Sequence, residues 1–443
     1  MRTLNSTVSV WTIIAAIAFS SLQLTAQQNT FVPQIIPQSP NAAALGKYGD
    51  VPVTLYTGQI NPTIPLYEIK LSDYSFPITL SYGSSGLKTN ETPSWVGMGW
   101  TLSATGVINR QLRGIPDEVE HGFQGFRQSA TTVKSIIDGN YSPTFDYSNL
   151  TKAQFLYKIA DGYEFDSEPD MFVLSCAGLS GKFFFDETVA LQNPKTPVWI
   201  PIQKLNLQAT INHNGSNIYN VQNKRGVFTS FVVFDTRGVK YTFSVSEGNF
   251  NNLDDDYSYG KRLANAWYLS KIETPDNNVI DFIYKARQID MPPTVSERRY
   301  FDLSALPTNI AVPYRGSNLP PTYNQSNITE IVLEKITVNN GQDGEVLFIE
   351  STSDRQDWTF GSKPKALAEV QVKNHVGQEI KTFKFSYDAS VNRLLLRSIQ
   401  ETKGSLSLPA TAFQYKDESA VPPLPSYTNG TSNLLHREDH WGY

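Results

Sequence analysis

Residues 83–113 read GSSGLKTNETPSWVGMGWTLSATGVINRQLR, and the fold is decided by how this stretch is read. Gly83, Gly86, Gly97, Gly99 and Gly106 supply backbone freedom, while Trp95, Val96, Met98, Trp100 and Leu102 place bulky apolar surface between them. Two indoles on either side of a Gly-Met-Gly step are costly to leave in water. The segment is therefore expected to turn tightly and clamp onto a core with both rings buried, followed by a strand over residues 107–112. It contains no nucleophile, base or phosphate cradle, so it speaks for an architecture and not for a reaction.

Outward from the clamp, the texture is that of an all-β chain of antiparallel sheets or meanders. Short aromatic runs, drawn from 22 Tyr, 24 Phe and 7 Trp, are separated by Asn, Asp, Gly, Pro and Ser. In residues 382–388, Phe383, Phe385 and Tyr387 point one way and Thr382, Lys384 and Ser386 the other. Ile280, Phe282 and Tyr284 repeat that alternation after the turn residues 275–278. Residues 181–185, 238–243, 344–348 and 411–415 each place a turn residue or short polar lead before an aromatic-rich run, as hairpins in a long meander do. Residues 366–373 carry Val370 and Val372 and predict another strand, not a helix. Prolines within residues 51–53, 63–67 and 76–80 require strand edges or bulges.

At the N-terminus, Arg2 precedes a mostly apolar run over residues 8–19, and small or polar residues follow to Ala26. This predicts a signal peptide over 1–26, cleaved after Ala26, and no transmembrane segment beyond it. The expected location is secreted or associated with the outer cell surface. Against 42 Asp and Glu stand 37 Lys and Arg, so a formal charge of -5 gives no bulk attraction to nucleic acid. A single cysteine, Cys176, excludes an intrachain disulfide; set between apolar neighbours and with no histidine nearby, it reads as a buried, inert thiol.

The expected divisions are a flexible entry segment over 27–39, a first β unit carrying the clamp over 40–120, and an irregular excursion over 121–160. A second β region over 161–306, a linker over 307–324, a third β region over 325–418 and a C-terminal junction segment over 419–443 follow.

Several segments together carry a resemblance. They are residues 40–46 (PNAAALG), 50–53 (DVPV), 94–100 (SWVGMGW) with Leu102, 113–118 (RGIPDE) and the final 439–443 (DHWGY). Residues 168–172 (EPDMF) with 181–183, and 268–272 (YLSKI) with Pro275 and Asp276, add to them. In combination they resemble the N-terminal region of large secreted RHS or YD-repeat proteins of Bacteroidetes. The resemblance implies a lead-in to a larger RHS-like β-shell, related to polymorphic toxins. Its expected partner is a downstream RHS/YD-repeat region or another β-rich surface protein. The chain departs from the family pattern in reaching Tyr443 without a visible repeat, self-cleavage aspartate or toxin domain.

No residue is assigned a catalytic, cofactor-binding or metal-binding role, and no cofactor is expected. His436 and His440 enclose Glu438 and Asp439, but H-R-E-D-H is not H-E-x-x-H and reads as an irregular tail. Asp254, Asp255 and Asp256 crowd hard oxygen ligands that calcium would accept, yet they lack the EF-hand spacing and read as a solvated loop. The favoured function is thus a non-catalytic structural or interaction module. The alternative is a carbohydrate-binding or carbohydrate-active surface protein, with a glycan held on exposed aromatic rings.

Overall fold

The computed structural model describes residues 53–54, 59–60, 62–83, 91–113, 116–118, 123, 168–176, 178–186, 189, 194–200, 205–213, 226–250, 263–292, 294–296, 322–324, 327–358, 361–388, 392–416, 418, 421, 423–424, 427–428 and 431–432. All of them lie in one compact unit, Val53–Tyr443. The signal peptide and the entry segment fall outside the described residues.

The chain is all-β, and its pairings are antiparallel. Strands β1 (Val53–Thr54) and β2 (Gln59–Ile60) form a short ladder. Strands β3 (Thr63–Lys70), β4 (Ser75–Tyr82) and β5 (Trp100–Ser103) form a three-stranded sheet in that order. Alternation in β4 buries Phe76, Ile78 and Leu80 while Ser75 and Pro77 stay exposed. The prolines sit where a missing N–H is tolerated. Pro65 lies on edge strand β3 at a register slip between Pro65 and Tyr67, and β5 reaches along β4 only from Thr79 to Tyr82, short of Pro77.

The strands that follow are β6 (Gly106–Gln111), β7 (Met171–Cys176), β8 (Leu179–Phe184), β9 (Val198–Ile200), β10 (Asn206–His213), β11 (Gly226–Phe234), β12 (Lys240–Phe250), β13 (Leu263–Glu273) and β14 (Val279–Asp290). A separate pair, β15 (Thr294–Ser296) and β16 (Thr322–Asn324), precedes β17 (Asn327–Val338), β18 (Glu345–Glu350), β19 (Leu367–Lys373), β20 (Glu379–Asp388), β21 (Leu395–Lys403), β22 (Leu406–Ser407) and β23 (Thr411–Ala412). Strands β24 (Tyr427–Thr428) and β25 (Thr431–Ser432) form a last small ladder. A 16-stranded sheet takes in β6 to β14 and β17 to β23.

One end of that sheet closes on itself. Pairing runs from β12 to β13, β6, β7, β8 and β9 on one side, and from β12 to β11 and β10 on the other. The circuit is completed just before β9, where Lys195 and Ala209 of β10 exchange backbone hydrogen bonds of 2.7 and 2.8 Å. Aromatic side chains fill the ring. Phe172 of β7 meets Phe228 of β11 at 5.6 Å between centroids, and Phe231 meets Trp267 of β13 at 4.8 Å. The Trp267 indole donates to the Phe228 carbonyl at 2.9 Å, so the buried N–H is satisfied.

The other end is a plain meander, β17 through β21, finished by short β22 and β23 on the edge of β21. As expected, residues 366–373 yield a strand. A bulge where β19 meets β18 lets Leu367 and Val370, three residues apart, both face the core. In β20, Phe383 and Phe385 are buried and Lys384 and Ser386 exposed. Thr382 departs from the expected outward position: it is covered, and its hydroxyl donates to Glu379 Oε1 at 2.9 Å. The turn after β13 places Asn277 at φ 64°, a left-handed conformation that Asn tolerates, with its N–H donating to the Thr274 carbonyl at 2.9 Å.

Candidate functional site

The clamp is a joint between sheets. Ser94 Oγ donates to the Trp100 carbonyl at 2.7 Å and accepts from Val96 N–H at 3.2 Å, which closes the turn on itself. Gly97 at φ 106° and Gly99 at φ 73° take conformations that L side chains rarely adopt. Space forbids side chains there as well: a Cβ on Gly97 would lie 3.0 Å from the Leu396 nitrogen, and one on Gly99 2.7 Å from the Tyr82 ring.

Strands of the far meander grip this turn. Met98 N–H donates to the Leu394 carbonyl at 2.8 Å, and Leu367 N–H donates to the Trp95 carbonyl at 2.9 Å. Arg355, held by Asp357 at 2.7 Å, donates to the Pro93 carbonyl at 2.9 Å, while buried Arg393 donates to the Glu91 carbonyl at 2.6 Å. Trp100 is buried as expected. Trp95 is only half-buried, because one side of its ring meets Phe348 and it also walls a cavity.

A second joint is electrostatic. Arg110 lies on the inward face of β6 with Gly106 and Ile108, its guanidinium 5.7 Å from the Phe172 ring centroid. It donates through Nε to Asp170 at 2.8 Å and through Nη1 to Glu118 at 2.9 Å, and Nη2 also meets Glu118. The backbones interlock: Asp170 N–H donates to Asp117 Oδ1 at 3.0 Å, and Asp117 N–H donates to Asp170 Oδ2 at 3.1 Å. Residues 113–118 and 168–172, two of the segments that carry the family resemblance, thus meet at one arginine.

Three carboxylates face this guanidinium in a dry setting. Burial raises Asp117 well above the usual carboxylate range, with repulsion from Asp170 adding to it, and Asp117 Oδ2 has no hydrogen-bond partner. Burial also raises Asp170, against the pull of Arg110. Burial works against the charge on Arg110, but Glu118 and then Asp170 outweigh it and hold the guanidinium above its ordinary value. Lys195, at the ring closure, senses Asp117 while burial lowers its ammonium to about 8. Among the described residues no group of His, Cys, Asp and Glu is placed to hold a metal ion, and here Arg110 fills the place a cation would take.

Cys176 is buried against Gly106, and burial pushes its thiol up to about 12, which leaves it a poor nucleophile. Asp254, Asp255, Asp256, His436, His440 and residues 439–443 lie outside the described residues. No Phe, Tyr or Trp whose side chain is described is exposed, so the stacking platform a glycan would need is absent among them. Sequence reasoning missed Arg110; the available signal was a charged residue at an inward position of an otherwise buried strand.

No family model matches the sequence, and no curated protein does. Among solved structures the chain is similar to TcdB2-TccC3, at 12% identity over 83% of this chain with a TM-score of 0.44. It is similar also to the N-terminal domain of effector protein SpvB from Salmonella typhimurium strain LT2, at 13% identity over 78% of this chain with a TM-score of 0.37. A Photorhabdus luminescens Tc holotoxin pore with a mutation in TccC3 aligns at 12% identity over 81% of this chain with a TM-score of 0.40. The alignment takes in 17% of the TcdB2-TccC3 chain, 16% of the pore chain and 99% of the SpvB domain.

Proposed function

We propose that this chain is a non-catalytic structural module of a secreted, RHS-like protein of the Bacteroidetes type, contributing to β-shell assembly or surface presentation. One observation carries the reading: the large sheet is closed into a filled ring at one end and left as an open meander at the other. At the open end, β21 is bordered by β22 and β23 and by the Leu408 N–H to Glu401 and Phe413 N–H to Arg397 bonds; among the described residues no strand pairs beyond β22 and β23, and Leu406 and Leu408 stand 72% and 56% exposed. An edge with unpaired backbone groups and apolar side chains is suited to receive further strands. The partner in this reading is a downstream RHS/YD-repeat region or another β-rich surface protein, and the N-terminal signal would deliver the chain to the cell exterior.

The test compares this 443-residue chain with the same chain followed by its native downstream sequence, by hydrogen exchange at β20 to β23 and by light scattering. Slower exchange along β21 and β23 in the longer protein, with association of the shorter one through its edge, is expected. Equal exchange, equal melting and a monomeric short chain would reject the module.

A further inference from the structure

The hairpin of β13 and β14 opens soon after its turn. The two strands pair only through Lys271–Asp281, Ile272–Ile280 and Glu273–Val279. Beyond that point the same edge of β13 passes to β6, while β14 continues along β17. A cavity of about 140 Å³ lies where they part, walled by Trp95, Leu102, Thr105, Tyr268, Tyr284 and Glu330 among others.

The hydroxyls at this cavity are already engaged. Tyr284 donates to the Leu269 carbonyl at 2.6 Å and meets the Thr105 hydroxyl, and Tyr268 donates to Glu247 at 2.7 Å. Aromatic walls therefore offer faces and edges rather than hydrogen bonds, with the Tyr268 and Tyr284 rings 5.7 Å apart. Charge has the opposite character. Glu330 is in the wall, and Glu247 stands behind Tyr268, where burial and then the Glu330 charge raise it despite the Tyr268 hydrogen bond. Arg287 contacts Glu330 and Glu350, and Lys285 contacts Glu350, each at 2.5 Å. Three carboxylates against two cations leave one negative charge in excess beside an aromatic-walled cavity.

We propose that this cavity binds a small organic cation, an alkylammonium or quaternary ammonium group, with Trp95, Tyr268 and Tyr284 as walls and Glu247 and Glu330 as countercharge. Ring quadrupoles attract such a cation, and its low hydration makes entry into an apolar-walled space less costly than for a metal ion. An anion would meet two carboxylates, and a sugar would find the hydroxyls already paired.

The probe is choline, set against its neutral isostere dimethylbutanol at constant ionic strength. The reporter is the fluorine NMR resonance of Trp95 in fluorotryptophan-labelled protein, assigned with Trp95→Phe. Choline is expected to shift that resonance saturably and to bind at least about fivefold more tightly than the alcohol, in line with a desolvated cation–π contact. Glu247→Gln, whose amide oxygen still accepts from Tyr268, is expected to weaken choline and leave the alcohol unchanged. Absence of a saturable shift, equal affinity for the two probes, or choline binding unaltered in Glu247→Gln would overturn the proposal. The isostere comparison requires no substitution and decides the matter if the variant does not fold.

Discussion

The indole of Trp100 donates to the hydroxyl of Tyr415 at 2.8 Å, joining positions 315 residues apart, and that hydroxyl in turn donates to the Leu396 carbonyl at 2.8 Å. The relay secures the clamp to β21. Trp100→Ala is expected to cost about 3–5 kcal/mol, the range for truncating a buried aromatic. Tyr415→Phe should cost about 1–3 kcal/mol because it leaves a buried donor unpaired. In a denaturation cycle, Trp100→Phe combined with Tyr415→Phe should cost less than the sum of the single changes. Strict additivity would show that the relay is energetically idle.

Gly97 and Gly99 are predicted to be intolerant of alanine. Both need positive φ, which costs a side-chain-bearing residue roughly 1–2 kcal/mol, and both have neighbours inside contact distance. Gly178, at φ 85° with nothing within 4 Å of a built Cβ, isolates the conformational part alone. Chemical denaturation should therefore rank Gly99→Ala as more damaging than Gly178→Ala, and comparable losses would mean that the tight approach to Tyr82 relaxes freely.

The Arg110 cluster makes an unusual pH prediction. Asp117 and Asp170 have folded values raised above the unfolded value of about 3.9, so the folded state holds protons the unfolded chain would release. Their contribution is fully present below about pH 3.9 and is lost as pH rises through the folded values. Glu118, Arg110 and Lys195 face the same group and set how far that window extends. Asp117→Asn keeps the Oδ1 acceptor and removes the titration, so its melting temperature should fall less than the parent's as pH rises above about 3.9. Arg110→Met should instead destabilise by about 3–5 kcal/mol, since it leaves buried carboxylates without their cation. An Asn variant with the parent's full pH dependence would show that Asp117 is not the titrating group.

Cys176 should resist iodoacetamide at pH 8 in the folded protein and react promptly once denaturant is added. Its thiol is buried and held near 12, so little thiolate exists and little of that is reachable. Mass spectrometry of a time course reads the outcome, and rapid native labelling would contradict the buried site.

Local pattern carried the strands into view. Phe383 and Phe385, or Ile280 and Phe282, alternate with polar neighbours because one side of each strand is buried, and that signal is complete within a few residues. The clamp was legible as well, since indoles around Gly97 and Gly99 leave few conformations open. The ring was not. Lys195 meets Ala209 only after an intervening strand, and Phe172 meets Phe228 across more than fifty positions, with no periodicity linking either pair. The ion cluster was hidden for a related reason: residues 113–118 and 168–172 were visible as segments, but nothing in sequence order points both of them at Arg110. Trp95 is half-buried because of the nearby cavity, and a cavity belongs to the places where packing is left incomplete.

Among the described residues, the Lys195–Ala209 junction of the ring shows two backbone hydrogen bonds, where the other junctions are ladders of several paired residues. Strain applied around the circumference would collect at that junction, since the neighbouring ladders share it over more bonds. A tear begun there would convert a cylinder into a ribbon without unthreading any strand, and the ribbon could roll shut again when the load is released. A pulling force is thus expected to open the ring first between Lys195 and Ala209, although Ala209 itself is buried in the same core as the ring's aromatic side chains.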